Sequence, residues 1–199
     1  MLALDHCAVI SILDAWLRLY LKAMSYPKLD SLLVPTALII ELTSLRTRPP
    51  LPTVSRSLIV PYSAHEMYVL ANDVGCYHEF LPWCNSSTTL QSEGEETLAS
   101  IGIAFKGWET TFTTRNELSP DRSIHMQLAD GPAFESLTGD WQFEPLDELA
   151  CRIELTVSFS MAGGVTAKML SPVFSRICAQ IVEAFAERAK QSYGERAFA

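Results

Sequence analysis

An alternation of apolar and polar residues with a period of two runs through the second half of the chain and limits the folds open to it. The clearest run extends from Cys151 to Met161, where every second residue is apolar. Weaker runs lie at 99–105, 108–115, 123–128 and 137–143. Alternation gives each strand one dry and one wet face, which is typical of an antiparallel sheet. Turn residues separate the runs, and the connections are too short for crossover helices, so the pattern predicts a meander.

One long helix is predicted to cover this sheet. After the glycine pair at 163–164, a short helical stretch is predicted up to Ser171, and Pro172 suits the first position of a long helix. Apolar residues then recur at helical spacing from 173 to 189. Gly194 is the expected end, which gives a helix of roughly 22 residues and about 33 Å. The dry face of the sheet is the one surface large enough to receive its apolar stripe. A curved sheet wrapped around such a helix touches it along the rims, so the pattern predicts an enclosed apolar volume.

The candidate ligand-binding residues are large apolar side chains that the two patterns direct toward this volume. Flexible methionine and aromatic groups suit a hydrophobic ligand. Packing in a filled core is the alternative explanation for each of them, and no single side chain decides between the two. The predicted set is Phe80, Trp83, Ile103, Phe105, Phe112, Met126, Trp141, Phe159, Met169, Val173, Ile177 and Phe185.

The residues before the sheet predict one strand and two short helices. Residues 54–60 are β-rich, and Ser63 and Glu66 have the spacing of a capping box, in which each side chain bonds the other residue's backbone N–H. An apolar face at helical spacing follows, and Gly75 is expected to cap the end of this helix. A second, aromatic-rich piece surrounds Pro82.

Composition and motifs exclude several classes of function. The chain has 15 Lys and Arg against 23 Asp and Glu, a net charge of −8, which predicts no direct DNA binding. Five scattered cysteines predict reduced thiols in a cytoplasmic protein, and the histidines form no metal-ligand pattern. No nucleophile elbow, phosphate loop or zinc-protease motif is present. His125 and Asp130 are the nearest candidates for a general base, but alternation puts His125 on the wet face, so the chain is expected not to be an enzyme.

The first 53 residues differ in composition from the remainder. They carry a net charge of +1, whereas residues 54–199 carry −9, and the proline-rich stretch 46–52 lies at the change. We therefore predict an N-terminal extension and linker at 1–53, a domain at 54–194 and a tail at 195–199. Residues 9–20 have the spacing of an amphipathic helix without the pattern of a signal peptide or spanning helix. This helix is expected to bind a membrane or partner, to pack on the domain, or not to be translated, since Met24 is an internal start candidate.

The order of strand, two short helices, antiparallel sheet and C-terminal helix resembles the α+β helix-grip fold of START and Bet v 1-like proteins. A closer resemblance is carried by seven ordered stretches, 60–68, 72–74, 80–84, 112–116, 130–132, 139–146 and 151–154. Together they resemble the bacterial ribosome association toxin (RatA) family, which is grouped with coenzyme Q-binding and polyketide cyclase-like START proteins. The resemblance covers 54–194. In one place the chain departs from the family pattern, because the stretch between Asp130 and Trp141 is a residue longer, which predicts a β-bulge.

The resemblance implies two functions. One is non-enzymatic binding of ubiquinone in a tunnel between the sheet and the C-terminal helix, in support of respiration, with no required cofactor. The other is binding to the large ribosomal subunit, which blocks subunit joining. The acidic domain suits the second only if it contacts a basic ribosomal protein. A quinone carrier is expected to be cytoplasmic, with transient membrane contact at the inner membrane, whereas the identity of the lipid and the oligomeric state stay open.

Overall fold

A computed structural model describes residues 51–105 and 107–198, which form a seven-stranded antiparallel sheet with helices on its inner face. The strand order is β1-β7-β6-β5-β4-β3-β2, so β2 to β7 form a meander and β1 pairs beside β7. This arrangement confirms the α+β helix-grip architecture. The strands are β1 (Thr53–Val60), β2 (Cys84–Glu93), β3 (Glu96–Phe105), β4 (Trp108–Ser119), β5 (Ser123–Asp130), β6 (Phe134–Pro145) and β7 (Cys151–Met161). The helices are α1 (Ala64–Asn72), a 3-10 turn (Val74–Cys76), α2 (Tyr77–Phe80), α3 (Gly164–Cys178) and α4 (Ile181–Tyr193).

The alternation in sequence corresponds to alternating burial in the sheet. In β7 the apolar residues from Cys151 to Met161 are all buried, and the residues between them are half-buried. Strand β2 has no such alternation, because it is rich in serine and threonine and most of its residues are exposed at the edge of the sheet. Its pairing with β3 shifts register between Cys84 and Ser86 and again between Thr89 and Gln91. A period-two apolar pattern therefore predicts the inner strands and misses this edge strand.

The β-bulge predicted from the extra residue lies at the start of β6. Phe134 pairs with Met161, whereas Ser136 pairs with Ser160, so two residues of β6 oppose one residue of β7 at this point. A bulge bends its strand and increases the local twist. It therefore contributes to the curvature of the sheet beside the helices.

The prediction of one helix that opens at Pro172 is wrong. Helix α3 begins at Gly164 and continues through Pro172, whose side chain is exposed, and a turn at Ala179 and Gln180 separates it from α4. The backbone N–H of Gln180 bonds the carbonyl of Ile177 at 3.0 Å, which tightens the chain to a 3-10 spacing. Neither glycine nor proline marks this turn, so propensity gives no sign of it.

The capping box predicted before α1 is present. The hydroxyl of Ser63 accepts a hydrogen bond from the Glu66 backbone N–H at 3.2 Å, and a Glu66 carboxylate oxygen accepts one from the Ser63 backbone N–H at 2.9 Å. Arg196 from the C-terminal tail donates to both Glu66 oxygens at 2.9 Å. Gly75 does not cap α1 as predicted, because the helix ends at Asn72 with Asp73 as its cap, and Gly75 lies inside the 3-10 turn. The predicted amphipathic helix at 9–20 lies outside the described residues, as does most of the stretch at 46–52.

Candidate functional site

A cavity lies between the inner face of the sheet and the helices that cover it. Strands β3 to β7 form one wall, α3 and α4 form the other, and the segment around α2 closes one side. The cavity is lined by Tyr77, Leu81, Trp83, Ile101, Phe112, Thr114, Met126, Leu137, Gly139, Trp141, Leu155, Val157, Phe174, Ile177, Cys178, Ile181 and Phe185. The lining thus combines one face of the alternating strands with one stripe of the C-terminal helices.

The cavity is narrow in this structure. Its volume is about 70 Å³, and the total space between its lining atoms, including the part open to solvent, is about 600 Å³. A water molecule occupies about 30 Å³ of liquid, and ligand pockets commonly measure roughly 300–1,000 Å³. The volume of about 70 Å³ is well below that range. A ring-sized ligand therefore requires side chains of the lining to move.

Met126 is the lining side chain best suited to such movement. Its unbranched thioether lies over Gly139 of the neighbouring strand, where an added Cβ would be 2.4 Å from the Met126 methyl carbon. Glycine at this position therefore provides the space that the methionine occupies. Methionine has three rotatable bonds and adapts its shape at low cost, so its displacement would enlarge the cavity without moving the backbone.

Phe185 of α4 joins the helix wall to the aromatic residues around it. Its ring centroid lies 5.0 Å from that of Trp141, 5.1 Å from that of Phe80 and 5.2 Å from that of Tyr77, each in an edge-to-face arrangement. Edge-to-face pairs add about 0.5–1.5 kcal/mol beyond the burial of their area. Three such contacts oppose displacement of Phe185, in contrast to the adaptable Met126.

The few polar groups of the lining are neutral. The Tyr77 hydroxyl donates a hydrogen bond to the Ala71 carbonyl, and burial raises the pKa of Tyr77 far above its usual value. Burial also raises the pKa of the Cys178 thiol, to about 12. Thr114 is the remaining hydroxyl of the lining. Because burial raises both pKa values, Tyr77 and Cys178 stay protonated near neutral pH.

Six of the twelve residues predicted from sequence line the cavity: Trp83, Phe112, Met126, Trp141, Ile177 and Phe185. Of the other six, Ile103 and Phe159 are fully buried outside the lining, and Phe80 packs on Phe185. Phe105 and Val173 are half-buried and are not part of the lining. Met169 is 71% exposed and is not part of the lining either. Helix α3 directs Phe174 and Ile177 toward the cavity, which leaves Met169 on its outer side.

The predicted set omitted several lining residues that the same patterns identify. Leu137, Leu155 and Val157 share strand faces with predicted members, since each is two or four residues from one of them. Phe174, Cys178 and Ile181 lie at helical spacing from Ile177 or Phe185. Thr114 and Gly139 are not large apolar residues. Only the alternation of side chains along their strands, counted from Phe112 and Trp141, places them on the inner face.

The candidate general bases lie away from the cavity. His125 is on the outer face of β5, as alternation predicts, and its Nδ1 lies 2.6 Å from a carboxylate oxygen of Asp140. Asp130 is exposed at the end of β5. Among residues 51–105 and 107–198, no group of three or more histidine, cysteine or acidic residues is arranged to hold a metal ion.

Comparisons with known proteins agree with this geometry. A sequence profile described as "Polyketide cyclase / dehydrase and lipid transport" matches residues 60–186. The chain is 44% identical over 142 residues to the ribosome association toxin RatA of Vibrio cholerae, covering 71% of this chain and 98% of that protein. It is 27% identical to the mitochondrial coenzyme Q-binding protein COQ10 of Drosophila melanogaster, covering 68% and 57% of the two chains. The Zhui aromatase/cyclase of a Streptomyces species has the same fold, with a TM-score of 0.65, 20% identity and coverage of 74% and 97%.

Proposed function

Because the chain belongs to the polyketide cyclase/dehydrase and lipid transport family, and within it to the RatA group, we propose that it binds ubiquinone without chemically changing it. The observation that carries this proposal is the apolar cavity between sheet and helices. In this role the protein shields a hydrophobic molecule from water and supports respiration by delivering it. The proposal includes a cytoplasmic location with transient contact at the inner membrane.

The lining of the cavity supports a quinone ring as the guest. A ring of this kind is flat and largely apolar, and Phe112, Trp141 and Phe185 present aromatic surfaces against which it would pack. Removing about 100 Å² of apolar ligand surface from water would contribute roughly 2.5 kcal/mol. Displacement of Met126 would supply part of the additional volume, and the opening to solvent would leave room for an isoprenoid tail.

The chemistry of the lining supports binding rather than turnover. A general acid or base works best with a pKa near the working pH, whereas the pKa values of Tyr77 and Cys178 are both raised away from neutrality. The Tyr77 hydroxyl is also engaged with the Ala71 carbonyl. A bound quinone would therefore meet no ionised side chain in the lining.

Two measurements test the carrier proposal. Organic extraction of the purified protein, followed by mass spectrometry, should recover a quinone in a stable ratio to protein. Titration with a short-chain ubiquinone should quench tryptophan fluorescence, because Trp83 and Trp141 line the cavity and quinones accept excitation energy. A Trp141→Phe variant should lose a large part of this quenching, whereas Trp108→Phe, a control outside the lining, should retain it. A protein that is empty on extraction and shows no saturable quenching would contradict the proposal.

Ribosome association is the second candidate function. The observation that favours it is the 44% identity to the Vibrio cholerae RatA protein over almost its whole length. The charge of −9 on residues 54–199 opposes contact with ribosomal RNA, so this function would use a basic ribosomal protein as its partner. Co-sedimentation with isolated large ribosomal subunits tests it. Absence of the protein from the subunit pellet at low salt would remove this candidate.

A further inference from the structure

The outward surface of α3 combines exposed apolar and basic side chains. Its members, which we call the outer face of α3, are Lys168, Met169, Pro172 and Arg176, and all four are exposed. Met169 is 71% exposed, the highest exposure among the large apolar side chains described. Phe174 and Ile177 project from the opposite side of the helix and line the cavity. One helix thus separates the cavity from an apolar and basic surface.

The two cations of this face differ from most other basic residues of the domain. Residues 54–199 contain ten basic and nineteen acidic residues, yet Gly164–Cys178 contains two of the basic ones and no acid. Within the described part of the chain, neither Lys168 nor Arg176 has an ion-pair partner, whereas five other basic residues do. The paired residues are Arg115, Arg152, Arg188, Lys190 and Arg196. The outer face of α3 is therefore a local positive surface on a negatively charged domain.

We propose that the outer face of α3 docks on the surface of a bilayer that contains anionic lipids. Lys168 and Arg176 are eight residues apart, about 12 Å along the helix, so both would reach lipid phosphates while Met169 enters the boundary with the acyl chains. An interfacial helix binds through this combination of buried apolar area and attraction to anionic headgroups. Each basic residue near such a surface contributes a binding factor of roughly fivefold.

The helix would lie on the membrane rather than cross it. The segment Ala167–Tyr193 is long and apolar enough to span a bilayer by length and composition alone. However, the apolar side chains of its inner stripe, including Phe174, Ile177 and Phe185, pack against the sheet. Surface docking uses only the residues that this packing leaves outward. It would also bring the wall of the cavity to the bilayer, where a lipid-soluble ligand is found.

A phosphate backbone of RNA is the competing partner for a basic surface. Nucleic-acid binding typically depends on about 6–10 phosphate contacts, whereas this face offers two cations on a domain of opposite net charge. An exposed methionine and proline between the cations add nothing to phosphate binding but do contribute to a lipid interface. The composition of the face therefore favours a membrane.

Vesicle co-sedimentation of the full chain tests the proposal, with vesicles of phosphatidylcholine alone or with one third phosphatidylglycerol, both free of quinone. Binding should require the anionic lipid and weaken with salt. A double variant, Lys168→Gln with Arg176→Gln, should bind about 30-fold less tightly. Met169→Ser should lose about tenfold. The control for charge is Arg115→Gln with Arg152→Gln, which removes two positive charges from ion-paired positions. The control for apolar area is Leu149→Ser, which removes a 65% exposed leucine. Both controls should bind as the parent does.

Three results would overturn the proposal. The parent protein could fail to bind anionic vesicles at low salt, or the α3 variants could bind as well as the controls, which would place membrane binding elsewhere in the chain. Alternatively, the α3 variants could lose binding to large ribosomal subunits and retain vesicle binding. Docking goes beyond the proposed ligand function and is measured without quinone. Its failure is therefore distinguishable from a failure to extract quinone from the purified protein.

Discussion

A matched pair of cysteine substitutions tests whether the space between sheet and helices is open. Cys178 and Cys151 are both buried, at 2% and 0% exposure, but only Cys178 lines the cavity. Leucine in place of either cysteine replaces the sulfur with a larger branched group. At position 178 this group would enter the cavity of about 70 Å³, whereas at position 151 it would have to displace packed neighbours.

The two substitutions should have different effects on the free energy of unfolding. Each additional buried carbon contributes about 0.8 kcal/mol, so Cys178→Leu should leave stability unchanged or raise it by up to about 1.5 kcal/mol. Cys151→Leu should lower stability by about 1–3 kcal/mol, the usual cost of overpacking a filled core. The expected difference between the variants is therefore about 1–4.5 kcal/mol, which urea denaturation resolves.

Ligand titration of the same pair separates the cavity from general stability. Because Cys178→Leu fills space that the ring would occupy, its affinity for a short-chain ubiquinone should fall at least about tenfold, a change of about 1.4 kcal/mol. Cys151→Leu should bind as the parent does wherever it is folded. Equal destabilisation by both substitutions would refute the reasoning about an open space. Unchanged ligand affinity of Cys178→Leu would refute the assignment of the ligand to this cavity.

Three further predictions concern groups away from the ligand. Hydrogen bonds from Arg196 hold the pKa of Glu66 below its usual value, so the native state takes up a proton at Glu66 less readily than the unfolded chain does. The stability that this pair contributes is therefore present at neutral pH and is lost as the pH falls below about 4.5. Arg196→Gln should flatten this pH dependence of the free energy of unfolding, measured by urea denaturation. Burial raises the pKa of the Cys151 and Cys178 thiols to about 12, so mass spectrometry should find both unmodified by iodoacetamide until the protein unfolds. The Asn116 side-chain oxygen is buried without a hydrogen-bond partner among the described residues. Asn116→Leu should therefore raise the free energy of unfolding by about 1–2 kcal/mol. A decrease would indicate that this oxygen accepts a hydrogen bond in solution.

The fold could be predicted from sequence where a local pattern of apolar and polar residues reflects which side of an element is buried. Alternation from Cys151 to Met161 identifies the inner strands because each strand has one dry face, and an extra residue before Trp141 identifies the bulge in β6. Strand β2 could not be identified in this way, because an edge strand with few buried residues carries no apolar period. The turn at Ala179 also had no signal, because it arises from backbone hydrogen bonds rather than from a helix-breaking residue.

The candidate site shows the same division between local pattern and tertiary contact. The alternation of side chains along each strand places both Trp141 and Phe159 on the inner face of the sheet. It does not reveal which residues or open spaces each of them contacts. The Phe159 ring lies 4.7 Å from the ring of Phe174, which fills the space beside it, whereas Trp141 borders the cavity. Whether a dry side chain meets a neighbour or an open space depends on the shapes of residues far apart in the chain.

The order of amino acids alone sets which faces of the strands and helices are apolar, because hydrophobic periodicity is a local property that each segment carries. It also determined the acidic charge and the family resemblance. The packing of separate elements sets where α3 begins, which side of it carries Met169, and how much space remains between Phe112 and Ile177. These features depend on how separate elements dock and on how far each side chain extends. A cavity is the volume that packing leaves unfilled, and no single segment of the chain encodes it.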